Sequence, residues 1–307
     1  MNSKIRIIGI IIMAIAVVFL VRRFLSFGVD FTELFTAQTL PSLMLVTAAI
    51  MAAIFIGSVC WTIWLSFFSN QKVPVLPTYS VYARSNLAKY LPGNFAHYAM
   101  RQLYGASLGI KQKELLFSSI LEVFCLALTA FVLTLLLAKD VFVRFLLDSF
   151  QRGWVLPVLI VVIAVLVIGA LIFMKKKNIS FSEVLGYLKQ KAFRVSLAAA
   201  IGLIACNLAI YGITLMVLFG SSADISGANG LLIVSTGIVS WFIGFITPGV
   251  PGGIGVREAV MLLMLSPVFP DDVILYAAVV QRLAFIFSDI FSWVIGKVIE
   301  NKSITEK

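Results

Sequence analysis

Residues 245–258 read FITPGVPGGIGVRE: an apolar run stops at a Pro/Gly cluster and resumes just before the pair Arg257–Glu258. The apolar sequence on both sides is long enough to reach deep into a bilayer. In hydrocarbon, free backbone groups and a charge need partners from protein or water, so irregular backbone at membrane depth usually lines a cavity. The stretch therefore predicts a broken membrane helix beside a polar cavity.

The composition is that of an all-α polytopic membrane protein with a single transmembrane domain, residues 1–307. Hydrophobic residues make up 61% of the chain and charged residues 12%, and the mean hydropathy is +1.06, outside the range of soluble domains. A net charge of +10 can indicate nucleic-acid binding, but here Lys and Arg cluster between apolar runs, as in cytoplasmic loops facing anionic lipid. Nucleic acid is not an expected partner.

Apolar runs long enough to span a membrane occur throughout the chain. The first apolar run continues into Arg22-Arg23 without a cleavage site, which predicts a retained helix rather than a signal peptide. The runs are residues 5–21, 40–68, 115–138, 154–174, 195–219, 229–247 and 273–298.

The distribution of Lys and Arg predicts the orientation of these runs. The loop 175–194 is strongly basic and is assigned to the cytoplasm, whereas 220–228 and 269–272 lack Lys and Arg and are assigned outside. Region 229–268 must then enter and leave by the external face, and 76–110 by the cytoplasmic face. We expect a protein of the cytoplasmic (inner) membrane with two re-entrant hairpins and about six full spans. Both termini are expected in the cytoplasm.

The two re-entrant regions share a spacing that predicts an internal repeat. Pro92-Gly93 precedes Arg101 by nine positions from the proline, and Pro248-Gly249 precedes Arg257 by the same nine. Because the two regions are predicted to enter from opposite faces, the repeat is predicted to be inverted, a plan typical of secondary transporters. Its halves are about residues 1–150 and 151–307.

Glycines dominate the second break, where they permit positive φ and expose successive backbone N–H groups. A helix starting near Val256 would direct its N-terminal N–H groups at the break, and with Arg257 this suits a phosphate or carboxylate. The alternative is a simple hairpin tip in which Arg257 pairs with Glu258 or a carbonyl. The glycines concerned are Gly249, Gly252, Gly253 and Gly255.

In the first half, His97, Arg101 and Tyr104 lie at i, i+4 and i+7 and share a helical face, with Asn94 placed to cap the helix. The alternative is an interfacial amphipathic helix with Arg101 snorkelling to headgroups. His97 is the only histidine in the chain, so a multi-His metal site is not expected.

Charged residues also occur inside two predicted spans. Glu122 is expensive in hydrocarbon unless it meets a cation, and Arg101, Arg257 and Arg282 are its candidate partners. Arg282 and Asp289 lie seven apart on one side of the last helix, where they are either substrate contacts or a structural ion pair. The polar residues on the face of Glu122 are Ser118, Cys125 and Thr129.

Familiar enzyme signatures are not present. The sequence contains no HExxH, P-loop, GxSxG or acidic DxD pair, so we expect no enzymatic activity, catalytic residue, metal or cofactor. The cysteines form no CxxC pair, and neither a disulfide framework nor a zinc site is indicated.

Two motifs resemble a known family. SNLAKYLPGNFAHYAMRQ at 85–102 and FITPGVPGGIGVREA at 245–259 look like the lysylphosphatidylglycerol synthase transmembrane-region, or flippase-like, family. That family includes the membrane half of the multiple peptide resistance factor, and the resemblance covers about residues 40–298. It implies a bacterial or archaeal membrane protein that moves a lipid across the bilayer. The soluble domain that attaches the amino acid in that factor is missing from this sequence, so aminoacyl transfer is not expected.

The leading hypothesis is a flippase for an anionic phospholipid or a polyprenyl-phosphate-linked lipid, with a polar groove between the two hairpins. Membrane lipid is the expected partner; a separate lipid-modifying enzyme and a homo-oligomer are left open. The alternatives are a polyprenyl-phosphate glycosyl or lipid transferase, with Glu122 or Asp289 as general base, and a noncatalytic partner of a lipid synthase. The candidate substrate contacts are Arg101, Arg257, Arg282, Glu122, Glu258, Asp289, His97, Asn94, Tyr104, Gly252, Gly253 and Gly255.

Overall fold

A computed structural model describes most of the chain between residues 39 and 305. Two of the predicted spans, 5–21 and 154–174, lie outside the described residues. So do the centres of the two predicted breaks, 92–95 and 248–250. The described residues are 39–91, 96–137, 189–220, 227–247 and 251–305, together with Gly186 and Ile225.

The described segments are helical and contain no strand. Short 3₁₀ turns follow two of the helices, at Leu87–Tyr90 and Ala106–Leu108, and a third, Pro251–Gly253, lies within the second break. The helices are α1 (Thr39–Ser69), α2 (Val75–Asn86), α3 (Ala96–Gly105), α4 (Gln112–Leu137), α5 (Lys191–Gly220), α6 (Gly227–Ile246), α7 (Val256–Leu265) and α8 (Asp271–Thr305).

Five helices are long and apolar enough to cross a membrane, which confirms a multi-pass membrane protein. They are α1, α4, α5, most of α6 and most of α8. Each coincides with a run predicted from the sequence, because a stretch of about 20 apolar residues has the length of the hydrocarbon core when it is helical. The remaining described helices, α2, α3 and α7, have 10 to 12 residues and are too short to span.

The order of helix lengths occurs twice in the chain. A long helix (α1 or α5) is followed by a second helix, a break, a helix of 10 residues and another long helix. The order agrees with the predicted repeat, whereas the inversion of the two halves and the re-entrant paths remain predictions. The agreement is imperfect, because α2 has 12 residues and α6, at the corresponding place in the order, has 20.

Helix α8 lies at the centre of the packing, and α4 lies at its edge. Within the most apolar window, 67% of the α8 residues are buried, against 28% for α4. Large apolar side chains of α4, such as Phe124 and Leu136, remain exposed, as expected of a surface that faces lipid. Helix α8 is instead covered by α2, α1, α5 and α7.

Close approach of α5 and α6 depends on two glycines. A Cβ atom added to Gly237 would lie 2.8 Å from the Cα atom of Gly212. Small residues at such crossings let helix backbones pack tightly where no hydrophobic effect drives association. The contact fixes α6, and with it the start of the second break.

The turns beside the two breaks meet against α8. A Cβ atom on Gly252 would lie 3.3 Å from the ring of Tyr90, so the turns Leu87–Tyr90 and Pro251–Gly253 are in contact. Gly252 has φ of 59° and Gly253 of 72°, conformations that residues with a Cβ rarely adopt. The predicted need for glycine at this break is confirmed.

Candidate functional site

A cavity of about 90 Å³ lies beside the contact between the two turns. Each of the eight described helices contributes to its wall, and four cationic side chains line it: Lys89, Arg101, Arg257 and Arg282. The structure therefore gathers residues that are far apart in sequence. The predicted site residues that line the cavity are His97, Arg101, Glu122, Gly252, Arg257 and Arg282.

Arg101 is held by Glu122 and Tyr82, although its Nε atom has no hydrogen-bond partner. Its Nη1 atom lies 2.6 Å from Oε2 of Glu122, and its guanidinium carbon lies 3.7 Å from the centre of the Tyr82 ring. The Tyr82 hydroxyl donates to Oε1 of Glu122 at 3.1 Å. Arg101 is the partner that Glu122 required, and with 2% of its surface exposed it does not snorkel to headgroups, so that alternative is wrong.

Arg282 connects α8 to the second break. It donates to the carbonyl of Gly252 at 2.7 Å and to Oε1 of Glu258 at 2.8 Å. Glu258 also accepts a hydrogen bond from the Gly255 N–H at 2.6 Å, which closes the first turn of α7. Because Glu258 is taken by Arg282, the alternative in which Arg257 pairs with Glu258 is wrong.

Asp289 is completely buried and binds the turn of the first half. It accepts hydrogen bonds from Asn86 at 2.8 Å, from Lys89 at 2.9 Å and from the Tyr90 hydroxyl at 2.6 Å. The alternative in which Arg282 and Asp289 pair with each other is therefore wrong. They lie on one side of α8, but each holds a different turn. Asp289 itself does not line the cavity, although its three partners do.

Arg257 differs from the other cations in its surroundings. It has no carboxylate partner among the described residues. Its Nε atom is buried without a hydrogen-bond partner, as is that of Arg101, so the missing carboxylate is what distinguishes Arg257. Its side chain passes Gly244, where an added Cβ would lie 2.6 Å from the Cγ atom of Arg257. The guanidinium carbon lies 5.7 Å from the centre of the Trp241 ring and 5.3 Å from that of Phe285.

A partly buried cation without a carboxylate partner among the described residues is costly, because packing removes part of its water and no described carboxylate replaces it. The ring faces offset only part of this penalty. An anion within the cavity would complete the surroundings of Arg257.

Several predicted contacts lie elsewhere. Tyr104 is buried, but its ring lies under the guanidinium of Arg84 at 4.4 Å, outside the cavity wall. Gly253 lies against Arg257, and Gly255 is exposed at the start of α7. Asn94 lies outside the described residues. Within the described parts of the chain, no group of three or more His, Cys, Asp or Glu side chains is placed to hold a metal ion.

Sequence reasoning did not select the segment from Tyr82 to Tyr90, although its side chains line the cavity and hold Asp289. A usable signal exists: Lys89 and Tyr90 come three and two residues before Pro92, so a lysine lies close to a predicted break in apolar surroundings. The aromatic wall gives no comparable signal. Tyr211 and Trp241 stack with their ring centres 5.2 Å apart, but in the sequence they resemble any aromatic residue of a membrane helix.

Comparison with family models matches residues 6–288 to the model described as the lysylphosphatidylglycerol synthase TM region. The matched range includes both breaks and every side chain that lines the cavity. Neither the curated proteins nor the solved structures gave a match.

Proposed function

The chain belongs to the lysylphosphatidylglycerol synthase transmembrane-region family, and from this premise we propose that it moves a phosphate-bearing lipid across the cytoplasmic membrane without being an enzyme. The family supports a role connected with membrane lipids. The substrate in this proposal is an anionic phospholipid or a polyprenyl-phosphate-linked lipid whose phosphate enters the cavity.

The observation that carries the proposal is the state of Arg257. A cation that faces a cavity within a membrane helix bundle, with no carboxylate partner among the described residues, favours an anionic ligand. A lipid phosphate provides the missing charge and accepts hydrogen bonds from the planar guanidinium. Because Arg101 and Arg282 are neutralised by Glu122 and Glu258, they shape the electrostatic field of the cavity without needing a ligand.

In this proposal the two breaks are the tips of re-entrant hairpins that approach from opposite faces. Helix α8 offers support for that arrangement, because Arg282 contacts the second turn and Asp289 contacts the first. Seven helical residues separate the two contacts by about 10 Å. Rocking of the two halves would expose the cavity to each face in turn while the lipid tails stay in hydrocarbon.

Reconstitution into liposomes tests the proposal. The purified chain is expected to move a fluorescent phosphatidylglycerol between leaflets, and Arg257→Gln is expected to lower the rate about tenfold or more, as for the loss of one buried charged contact. The matched control is Arg194→Gln, which removes an arginine that is exposed on α5 and does not line the cavity; its rate should equal that of the unmodified chain.

Unchanged rates in both Arg257→Gln and Arg101→Ala would refute the site. Lipids extracted after the assay are analysed by mass spectrometry. A new lipid product that depends on the protein would replace the transport proposal with a transferase.

A further inference from the structure

The positive charges at the cavity outnumber the negative charges that pair with them. Four cations line it, and three of them are paired: Lys89 with Asp289, Arg101 with Glu122 and Arg282 with Glu258. Counted without His97, four positive charges and three negative charges leave a net charge of +1 among the described residues. The break residues 92–95 and 248–250 add no charge, because none of them is ionisable.

A phosphodiester lipid carries one negative charge and would neutralise the cavity without breaking an ion pair. A phosphomonoester carries close to two at about pH 8. The second negative charge would need a second cation, and its presence would leave the cavity with a net charge of −1. In buried surroundings of low dielectric, such an excess is strongly unfavourable.

Lys89 is the paired cation that a ligand reaches most easily. Its side chain is 22% exposed, against 2% for Arg101 and 8% for Arg282. The two arginines are fixed further, Arg101 by the ring of Tyr82 and Arg282 by the carbonyl of Gly252.

The partner of Lys89 is also the carboxylate best able to release its cation. If Lys89 moves away, Asp289 keeps hydrogen bonds from the amide of Asn86 and the hydroxyl of Tyr90. Glu122 would retain the hydroxyl of Tyr82 alone among the side-chain donors found for it. Glu258 would retain the backbone N–H of Gly255 and none of the side-chain donors found for it. The Lys89–Asp289 pair is therefore the adjustable one.

We propose that Lys89 is a second anion contact, and that the Lys89–Asp289 pair determines how many negative charges of a lipid phosphate the cavity accepts. This inference rests on the proposed function, since it concerns the same cavity. With the pair intact the cavity selects a phosphodiester. Removing the charge of Asp289 raises the net charge to +2, frees Lys89 and shifts the preference toward a phosphomonoester.

Binding of matched lipids tests the inference. The full chain in nanodiscs of phosphatidylcholine is loaded with labelled phosphatidylglycerol, which unlabelled phosphatidylglycerol or phosphatidic acid with the same acyl chains displaces at about pH 8. The unmodified chain is expected to prefer phosphatidylglycerol. Asp289→Asn is expected to raise the relative affinity for phosphatidic acid about tenfold or more, the effect of one close charged contact.

The double variant Lys89→Gln with Asp289→Asn is the matched control. It restores a net charge of +1, so its preference should return to that of the unmodified chain. An Asp289→Asn protein with unchanged thermal unfolding and an unchanged preference would overturn the inference. So would an unmodified chain that prefers phosphatidic acid, a result that does not depend on whether any variant folds.

Two further outcomes are distinguishable. Glycerol 3-phosphate carries the phosphomonoester without acyl chains, and its displacement of the label at comparable concentration would show a site for soluble phosphate and overturn the lipid assignment. Selective binding without movement between leaflets would refute the proposed function and support the role of Lys89. Movement with an unchanged preference in Asp289→Asn would refute the role of Lys89 alone.

Discussion

Arg101 and Arg257 occupy matching positions in the two halves, nine residues after a proline and within helices of 10 residues. Their electrostatic surroundings are opposite. Arg101 is neutralised by Glu122 at 2.6 Å, whereas no described carboxylate reaches Arg257. The difference arises in the following long helix, where the first half offers a carboxylate and the second offers Arg282, which takes Glu258 for itself. Matching sequence positions thus give one structural cation and one that is open to a ligand.

Replacing each arginine by methionine tests directly whether the two arginines differ in their contribution to stability. Arg101→Met leaves Glu122 buried without its cation and is expected to lower the free energy of unfolding by about 3–5 kcal/mol. Arg257→Met removes a partly buried charge that has no carboxylate partner among the described residues, so we expect a change within about 1 kcal/mol or a stabilisation. Unfolding in mixed micelles measures both variants. Equal losses would show that Arg257 is also structural.

Stabilisation of the fold by bound lipid tests next whether the ligand contacts Arg257. At a lipid concentration of about 100 times the dissociation constant, binding raises the free energy of unfolding by about 2.7 kcal/mol. A short-chain phosphatidylglycerol is expected to produce this increase in the unmodified chain and in Arg194→Gln, but not in Arg257→Gln. A full increase in Arg257→Gln, measured by thermal unfolding, would place the ligand elsewhere.

Gly244, which the side chain of Arg257 passes, gives a prediction whose expected effect is of intermediate size. An alanine at position 244 would place its Cβ 2.6 Å from the Cγ atom of Arg257, so the side chain must shift. Gly244→Ala is expected to weaken phosphatidylglycerol binding about tenfold, which corresponds to about 1.4 kcal/mol. The matched control is Gly202→Ala on α5, where an added Cβ meets nothing within 4 Å. Equal affinities in the two variants would show that the position of Arg257 is unimportant.

The five described spans and the Gly-rich break were predictable because length, hydropathy and glycine content act locally. The pairing of charges was not. Three arginines were equally good partners for Glu122 in the sequence, and only the packing of α3 against α4 selects Arg101. Arg282 and Asp289 share a side of α8, but each contacts a different turn. Which cation stays without a carboxylate is decided by tertiary contacts, and spacing alone does not contain them.

The smallest expected effect concerns the Tyr82 hydroxyl, which donates a hydrogen bond to Glu122 in the Arg101–Glu122 pair. Tyr82→Phe removes the hydrogen bond to Glu122 but keeps the ring against Arg101. The expected loss is about 0.5–1.5 kcal/mol in the free energy of unfolding, with phosphatidylglycerol affinity unchanged, since Arg257 is untouched. Tyr82→Leu also removes the ring and should cost more, because the cation–π contact is lost as well. If Tyr82→Phe instead weakened lipid binding without changing stability, the first half would contact the ligand directly, and the contrast between a structural Arg101 and a ligand-binding Arg257 would fail.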